Sequence, residues 1–192
     1  MSGAGRSRPP SRPPSRPPTG SPSGSPSGSP RLSHVDSSGA LRRVDVGDKP
    51  VPSRRAVARG RVRLGEAAFA AVRDATLAKG DALAVSRLAG IQGAKETSRL
   101  VPLCHPLALS DVDVRVELEP AALSAVITAS VRAEGRTGVE MEALTAVSVA
   151  ALALYDMAKA VSKDLVIEEI VLLEKSGGRS GAWRREGEGA GR

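Results

Sequence analysis

Reactive side chains gather at five places: Lys79-Gly80-Asp81, Leu103-Cys104-His105-Pro106, Gly138-Val139-Glu140-Met141-Glu142, Asp156 with Lys159, and the run from Lys175 to Gly181. Amines, carboxyls and an imidazole are the groups that move protons. Cations beside glycine backbone are the groups that hold phosphate. Each cluster also has a plain structural account. Capping explains Gly80 and Asp81 but is indifferent to Lys79. The helix dipole favours acids in a first turn by about 0.3–1 kcal/mol each, which alone accounts for Glu140 and Glu142. Asp156 and Lys159 stand three apart on one helix face, and an exposed pair at that spacing gains only about 0.2–0.5 kcal/mol. The run after Lys175 can cradle phosphate or fray as a tail, and it lacks the residue order of a P-loop. One cysteine and two histidines are too few soft ligands for a metal centre, so none is expected. Adjacent side chains in an extended segment point apart, which argues against a Cys104–His105 nucleophile pair and leaves His105 open as a proton-transferring group.

The elements that must position these groups follow from periodicity. Residues 55–64 alternate apolar and basic and read as a half-buried strand; 65–78 read as a helix closed by Gly80; Asp81 caps a second helix over 82–99. Gly90 and Gly93 inside that helix each cost about 1 kcal/mol against Ala, so they imply close approach to another backbone. Pro102 and Pro106 exclude a helix and fix a short extended loop around Cys104 and His105. Residues 111–120 and 125–134 alternate and form a hairpin. Residues 137–164 form a long helix, and 165–175 a last strand. Between Ala143 and Tyr155 the long helix has no charge, so it should be buried on most sides, with Glu140, Glu142, Asp156, Lys159 and Lys163 at its ends. The resulting order, β-α-α-β-β-α-β, implies an α+β fold: a ferredoxin-like plait with a mostly antiparallel sheet covered by helices.

Composition bounds the function class. The chain of 192 residues carries a formal charge of +7, but residues 1–31 hold five Arg and no acid, and 176–192 hold four Arg and two Glu. The folded part is therefore neutral, and nucleic acid is not an expected partner. Residues 1–31, with SRPP repeated three times, read as a disordered Pro/Ser/Arg-rich arm, 32–181 as one folded domain and 182–192 as a flexible tail. The uncharged run of the long helix is too short and too Ala-rich for a membrane span, and the N-terminus has no apolar signal core. The lone Cys104 fits a reducing compartment, so a cytoplasmic location is expected. Aromatic residues are limited to Phe69, Tyr155 and Trp183.

Glu142 and Asp156 are 14 residues apart, roughly 21 Å along a continuous helix. One small substrate cannot touch both in one chain. If both ends are catalytic, the helix breaks or a neighbouring subunit completes the site. The buried helix and the glycine-bearing helix favour the second, hence a homo-oligomer with sites across an interface.

SHVD, VDV, KGD, AGIQGAK, LVPLCHPL, TGVEMEALTAVSVAAL, YDMAKA and KSGGRSG, in this order over residues 32–181, resemble the molybdenum cofactor biosynthesis C (MoaC) family, the cyclic pyranopterin monophosphate synthases. That resemblance implies conversion of 3′,8-cyclo-7,8-dihydro-GTP to cyclic pyranopterin monophosphate with release of pyrophosphate. It implies a ferredoxin-like fold and a homohexamer, a trimer of dimers with sites at subunit interfaces. Carried over motif by motif, Lys79, Lys159 and Asp156 are the implied catalytic residues. Leu103, Cys104, His105, Glu140, Met141 and Glu142 are the implied substrate contacts. Lys49, Arg54 and Lys175 would hold the triphosphate or the base, with Arg55 the alternative to Arg54. Position 158 is Ala where many members have Cys, and Glu96 follows Lys95 where a base is common. No cofactor is required by the sequence, and Mg²⁺ accompanying the pyrophosphate is left open. A lysine among other cations can have a lowered pKa and serve as a base. A non-catalytic nucleotide-binding module, with basic tails engaging nucleic acid, is the competing reading.

Overall fold

The computed structural model describes residues 52–178 and 181–187. The proline-rich arm, Lys49 and Arg179 lie outside the described residues. Alternation of apolar and polar residues sets four strands of 11 residues: β1 (Ser53–Arg63), β2 (Leu109–Glu119), β3 (Ser124–Glu134) and β4 (Val166–Ser176). They lie in the order β2-β3-β1-β4, antiparallel throughout. With helices crossing from β1 to β2 and from β3 to β4, this is the expected ferredoxin-like topology. The hairpin of β2 and β3 turns through a 3₁₀ segment (Pro120–Ala122) and Leu123, whose φ is 48°. A two-residue strand, β5 (Trp183–Arg184), pairs with the outer side of β4 within the segment read as a tail.

The two sheet faces differ because side chains alternate across a strand. Ala56, Ala58 and Val62 of β1 enter the core, whereas Arg55, Arg59, Arg61 and Arg63 point to the other face. There the arginines meet acids. Arg55 bonds Glu174 and Arg61 bonds Glu119, while Arg59, Arg61 and Arg63 lie 3.6, 3.5 and 3.8 Å from Glu169, Glu169 and Glu168. Partly exposed pairs of this kind contribute little stability singly, but they neutralise what the sequence shows as a run of positive charge.

Three helices cover the core face: α1 (Gly65–Arg73), α2 (Ala82–Leu100) and α3 (Glu140–Ala158). α1 stops five residues short of the expected end: its last residue, Arg73, pairs with Asp74, and Ala75 turns left-handed with φ 53°. Gly80 therefore does not close α1. With φ 92° it closes the turn in which its N–H bonds Leu77 O at 3.0 Å, just ahead of α2. Asp81 caps α2 as expected, its Oδ1 accepting from the N–H of Leu83 and of Ala84 at 3.0 Å each. α3 is also shorter than 137–164. The backbone turns back on Ala158, whose carbonyl accepts from Val161 and Ser162, and Tyr155 Oη donates to Lys163 O at 3.0 Å.

By length and composition α3 could cross a membrane, but it is a core helix. Ala143, Ala146, Val147, Ala150, Ala151 and Leu154 are fully buried against β1, β3 and α2. Burying Leu154 contributes about 1.5–3 kcal/mol. The alanines bury little area; what they permit is close approach. The same closeness explains Gly90, where a Cβ would stand 2.9 Å from Ala146 O, and Gly93, where it would stand 2.8 Å from Val149 Cβ. Gly90→Ala should therefore destabilise the protein. The helix-propensity gain of about 1 kcal/mol is outweighed by an overpacking cost of about 1–3 kcal/mol, because a helix backbone carbonyl cannot rotate away. A melting temperature below the wild-type value checks this, and an increase would refute it.

Candidate active site

The clearest constellation lies at the C-terminal end of α3. The carboxylate of Asp156 is gripped from two sides: Lys79 Nζ donates to Oδ2 at 2.6 Å and Lys159 Nζ donates to Oδ1 at 2.7 Å. Lys79 Nζ also reaches the Asp156 carbonyl at 2.9 Å. Lys159 is positioned by helix spacing alone. Lys79 comes from the turn before α2, 77 residues away in sequence, and only the packing of α2 on α3 delivers it. All three side chains remain about half exposed. For exposed ion pairs this arrangement adds little to stability, so its presence is not explained as a structural fastener.

The electrostatics fix the resting protonation. The hydrogen bond from Lys159, then that from Lys79, hold the Asp156 carboxyl down at about 2. The same bond to Asp156 raises Lys159 above the ordinary lysine value. The lowered lysine pKa expected from the sequence is thus not found for Lys159: a carboxylate, not a second cation, is its nearest charged neighbour. In the free chain Lys159 is a proton donor held in place by Asp156.

The opposite end of α3 carries a different set. Glu140 and Glu142 open the helix, and Met141 between them is exposed. Glu140 Oε1 accepts from Lys175 Nζ at 2.8 Å, joining the helix start to the end of β4. Gly138 leaves room for this carboxylate: a Cβ there would lie 1.8 Å from Glu140 Oε2, so a side chain at 138 would displace it. Glu142 is only 4% exposed. Burial pushes its carboxyl above the ordinary glutamate range, the charge of Glu140 adds to that, and a backbone hydrogen bond partly opposes it. Cys104 lies close enough for Glu142 to act on it. Burial first, and then the Glu142 charge, raise the Cys104 thiol, so it is no thiolate nucleophile. Leu103, Cys104 and His105 are half-buried after a turn in which Cys104 N–H bonds Val101 O at 3.0 Å. Pro102 suits the second position of that turn, so the loop is tighter than the extended segment expected.

Glu142→Gln tests that burial. A native carboxyl with a raised pKa binds its proton more tightly than the unfolded chain does. Wild-type stability should therefore be full below the unfolded glutamate value and fall as pH rises from it toward the native value. The amide cannot ionise, so the variant should gain on wild type across that window, read as the difference between denaturant midpoints. Parallel pH dependences in the two proteins would refute it.

Arg54 and Arg55 sit on opposite faces of β1. Arg55 pairs with Glu174 on the face without helices. Arg54, 9% exposed, lies under the start of α3: Nε donates to Gly135 O at 2.9 Å and Nη2 to Arg136 O at 3.3 Å. No sequence pattern distinguishes the two neighbours; strand register does.

α3 runs unbroken from Glu140 to Ala158, so the two sets sit about 20 Å apart in one chain. A groove of about 510 Å³ between α2 and the edge strand β2, with Ile91, Lys95, Leu107 and Asp111 on its walls, contains none of the site residues expected from the sequence. Among the described residues, no group of three or more His, Cys, Asp or Glu could hold a metal ion.

Comparison with known proteins places this arrangement. The MoaC family profile matches residues 43–178. The cyclic pyranopterin monophosphate synthase of Chloroflexus aurantiacus is 55% identical over 154 residues, covering 80% of this chain and 94% of that protein. Its namesake from Thermomicrobium roseum is 55% identical over 155 residues, covering 81% and 93%. Molybdenum cofactor biosynthesis protein 1 of Bos taurus is 57% identical over 155 residues, which are 81% of this chain but 24% of that longer protein.

Proposed function

The chain belongs to the MoaC family, and from that membership we propose that it is a cyclic pyranopterin monophosphate synthase of molybdenum cofactor biosynthesis. It is a lyase that converts 3′,8-cyclo-7,8-dihydro-GTP to cyclic pyranopterin monophosphate and releases pyrophosphate. The observation that carries the reading is the convergence of Lys79 and Lys159 on the two oxygens of Asp156. Two positioned ammonium groups on an exposed carboxylate can exchange protons with a bound nucleotide, and exposed ion pairs add little to folding.

The chemistry divides into two tasks. Opening the cyclised purine and rebuilding it as a pterin needs several proton transfers, supplied by Lys79 and Lys159 as acid and base groups with Asp156 orienting both. A lysine that has given its proton to the substrate is then the base for the next transfer. Closing the cyclic phosphate joins a sugar oxygen to the α-phosphorus and breaks its bond to the β-phosphate oxygen. The hydroxyl proton passes to a base and pyrophosphate departs with the bond's electron pair. Cations must stabilise that leaving charge, a role that falls to Lys175 and Lys49. Leu103, Cys104, His105, Met141, Glu140 and Glu142 line the substrate side, with His105 and Glu142 as further proton carriers. Mg²⁺, if present, arrives with the phosphates, and no step above depends on it.

Because the two sets stand at opposite ends of one continuous helix, each working site takes its Glu142 set from one subunit and its Lys79–Asp156–Lys159 set from another. A homohexamer built as a trimer of dimers satisfies this, and its setting is the cytoplasm. The test is incubation with the cyclised nucleotide and detection of both products. Consumption without pyrophosphate release, or no consumption by the intact oligomer, would overturn the reading.

A further inference from the structure

β5 lies beyond residue 178, where the family profile ends, in the stretch that the sequence presents as a tail. It is fastened rather than frayed. Gly181 N–H bonds Gly178 O at 3.1 Å as the chain reverses after β4. Trp183 then pairs with Lys175, and Arg184 with Glu174. Arg185 continues the pairing: its N–H bonds Leu173 O at 2.8 Å and its Nε donates to Leu172 O at 2.9 Å. Its guanidinium stands over the Trp183 ring, 5.9 Å from the centroid, a cation–π contact between strand neighbours on one face. On the other face Arg184 Nε lies 3.9 Å from Glu174, which Arg55 already holds.

Among the described residues, this pairing covers the outer edge of β4 only at its end. Lys175 is therefore flanked on both sides, by Ala56 of β1 and by Trp183 of β5. Residues directly opposite in an antiparallel pair share a face, with Cβ atoms about 4.5–5.5 Å apart. Ala56 is in the core and Lys175 Nζ reaches Glu140 at the start of α3, so that face is the helix side. The Trp183 side chain, 42% exposed, thus stands beside the lysine stem at the rim of this set. A flexible four-carbon stem does not aim its ammonium unaided. We infer that Trp183 is a positioning residue: with Arg185 it fastens β5 to the end of β4, and its indole restrains the stem of Lys175. This rests on the proposal above that Lys175 serves the working site.

Trp183→Gly in the full-length chain tests this, since glycine weakens a strand while Lys175, Arg184 and Arg185 keep their charges. β5 is exposed, so the fold should survive. kcat should fall about 100-fold, the scale of a misplacement of about 1 Å, with KM little changed. Trp183→Phe, an aromatic strand former, should return kcat close to wild type. Wild-type turnover in Trp183→Gly would overturn the inference. So would a raised KM at unchanged kcat, or no rescue by phenylalanine, because either would mean that the indole binds substrate itself. In a Lys175→Met background Trp183→Gly should cost nothing further in kcat/KM, and losses that multiply would count equally against it. Hydrogen exchange needs no turnover. Peptides over 172–176 should exchange faster in Trp183→Gly but not in Trp183→Phe, while α2 is unchanged; unaltered exchange would sink the inference. If the wild-type chain failed to convert the cyclised nucleotide, the functional proposal would fall, and exchange alone would decide whether β5 holds the end of β4.

Discussion

Lys159→Ala should reduce turnover by about 10²–10⁴-fold, the contribution of a positioned proton-transfer group, without loss of the fold. The side chain is half exposed and its ion-pair partner Asp156 is exposed too, so removing it leaves no buried charge and no cavity. Lys79→Ala should behave alike. Asp156→Asn is the informative companion, because it keeps the shape and removes the charge that both ammonium groups share. Without that charge Lys159 loses the interaction that raises its pKa, so the alkaline limb of the rate profile should move to lower pH. Product formation within tenfold of wild type by either lysine variant, or an alkaline limb that does not move in Asp156→Asn, would remove these residues from the chemistry.

Two inactive variants should restore activity when combined. Lys159→Ala damages one end of α3 and Glu142→Ala the other. If each site draws the two ends from different subunits, co-expression generates mixed pairs in which one site has both lesions and the other has neither. With random pairing half of the pairs are mixed, so about one quarter of the wild-type activity should return, as two-fold symmetry dictates. Activity no higher than that of the separate variants would mean that one chain supplies a whole site, or that a pair of subunits does not share it.

The strands were legible because alternation needs no tertiary information. Val112, Val114, Val116 and Leu118 announce β2, and the observed strand starts two residues before the expected one and ends one residue before it. Helix ends were not legible in the same way. Nothing before Arg73 signals a stop, since the turn is made by its pair with Asp74 and a left-handed Ala75. The two residues of β5 pair only because β4 offers an edge there. At the site, the Asp156–Lys159 spacing was visible as a helical i, i+3 pair. The third member, Lys79, could be linked to Asp156 only by packing or by family resemblance. The burial of Glu142 contradicts the usual reading of a first-turn glutamate as a solvated dipole partner, and position in the fold alone reveals it. Gly90 and Gly93 are the opposite case: their cost in a helix announced close neighbours, which are the Ala146 carbonyl for Gly90 and the Val149 side chain, not another backbone, for Gly93.

The pairing of β5 with β4 also gives the protein built-in optical reporters. Trp183, the only tryptophan, stands opposite Lys175 in the strand register. The only tyrosine, Tyr155, precedes Asp156, and its phenol is tied to the backbone of Lys163. Emission from the indole, excited beyond the phenol's absorption band, therefore reports on the Glu140–Lys175 end, with no other Trp in the chain to obscure it, and the sole phenol marks the lysine end. Events at the two ends of α3 could be followed separately, in real time, in the unlabelled protein.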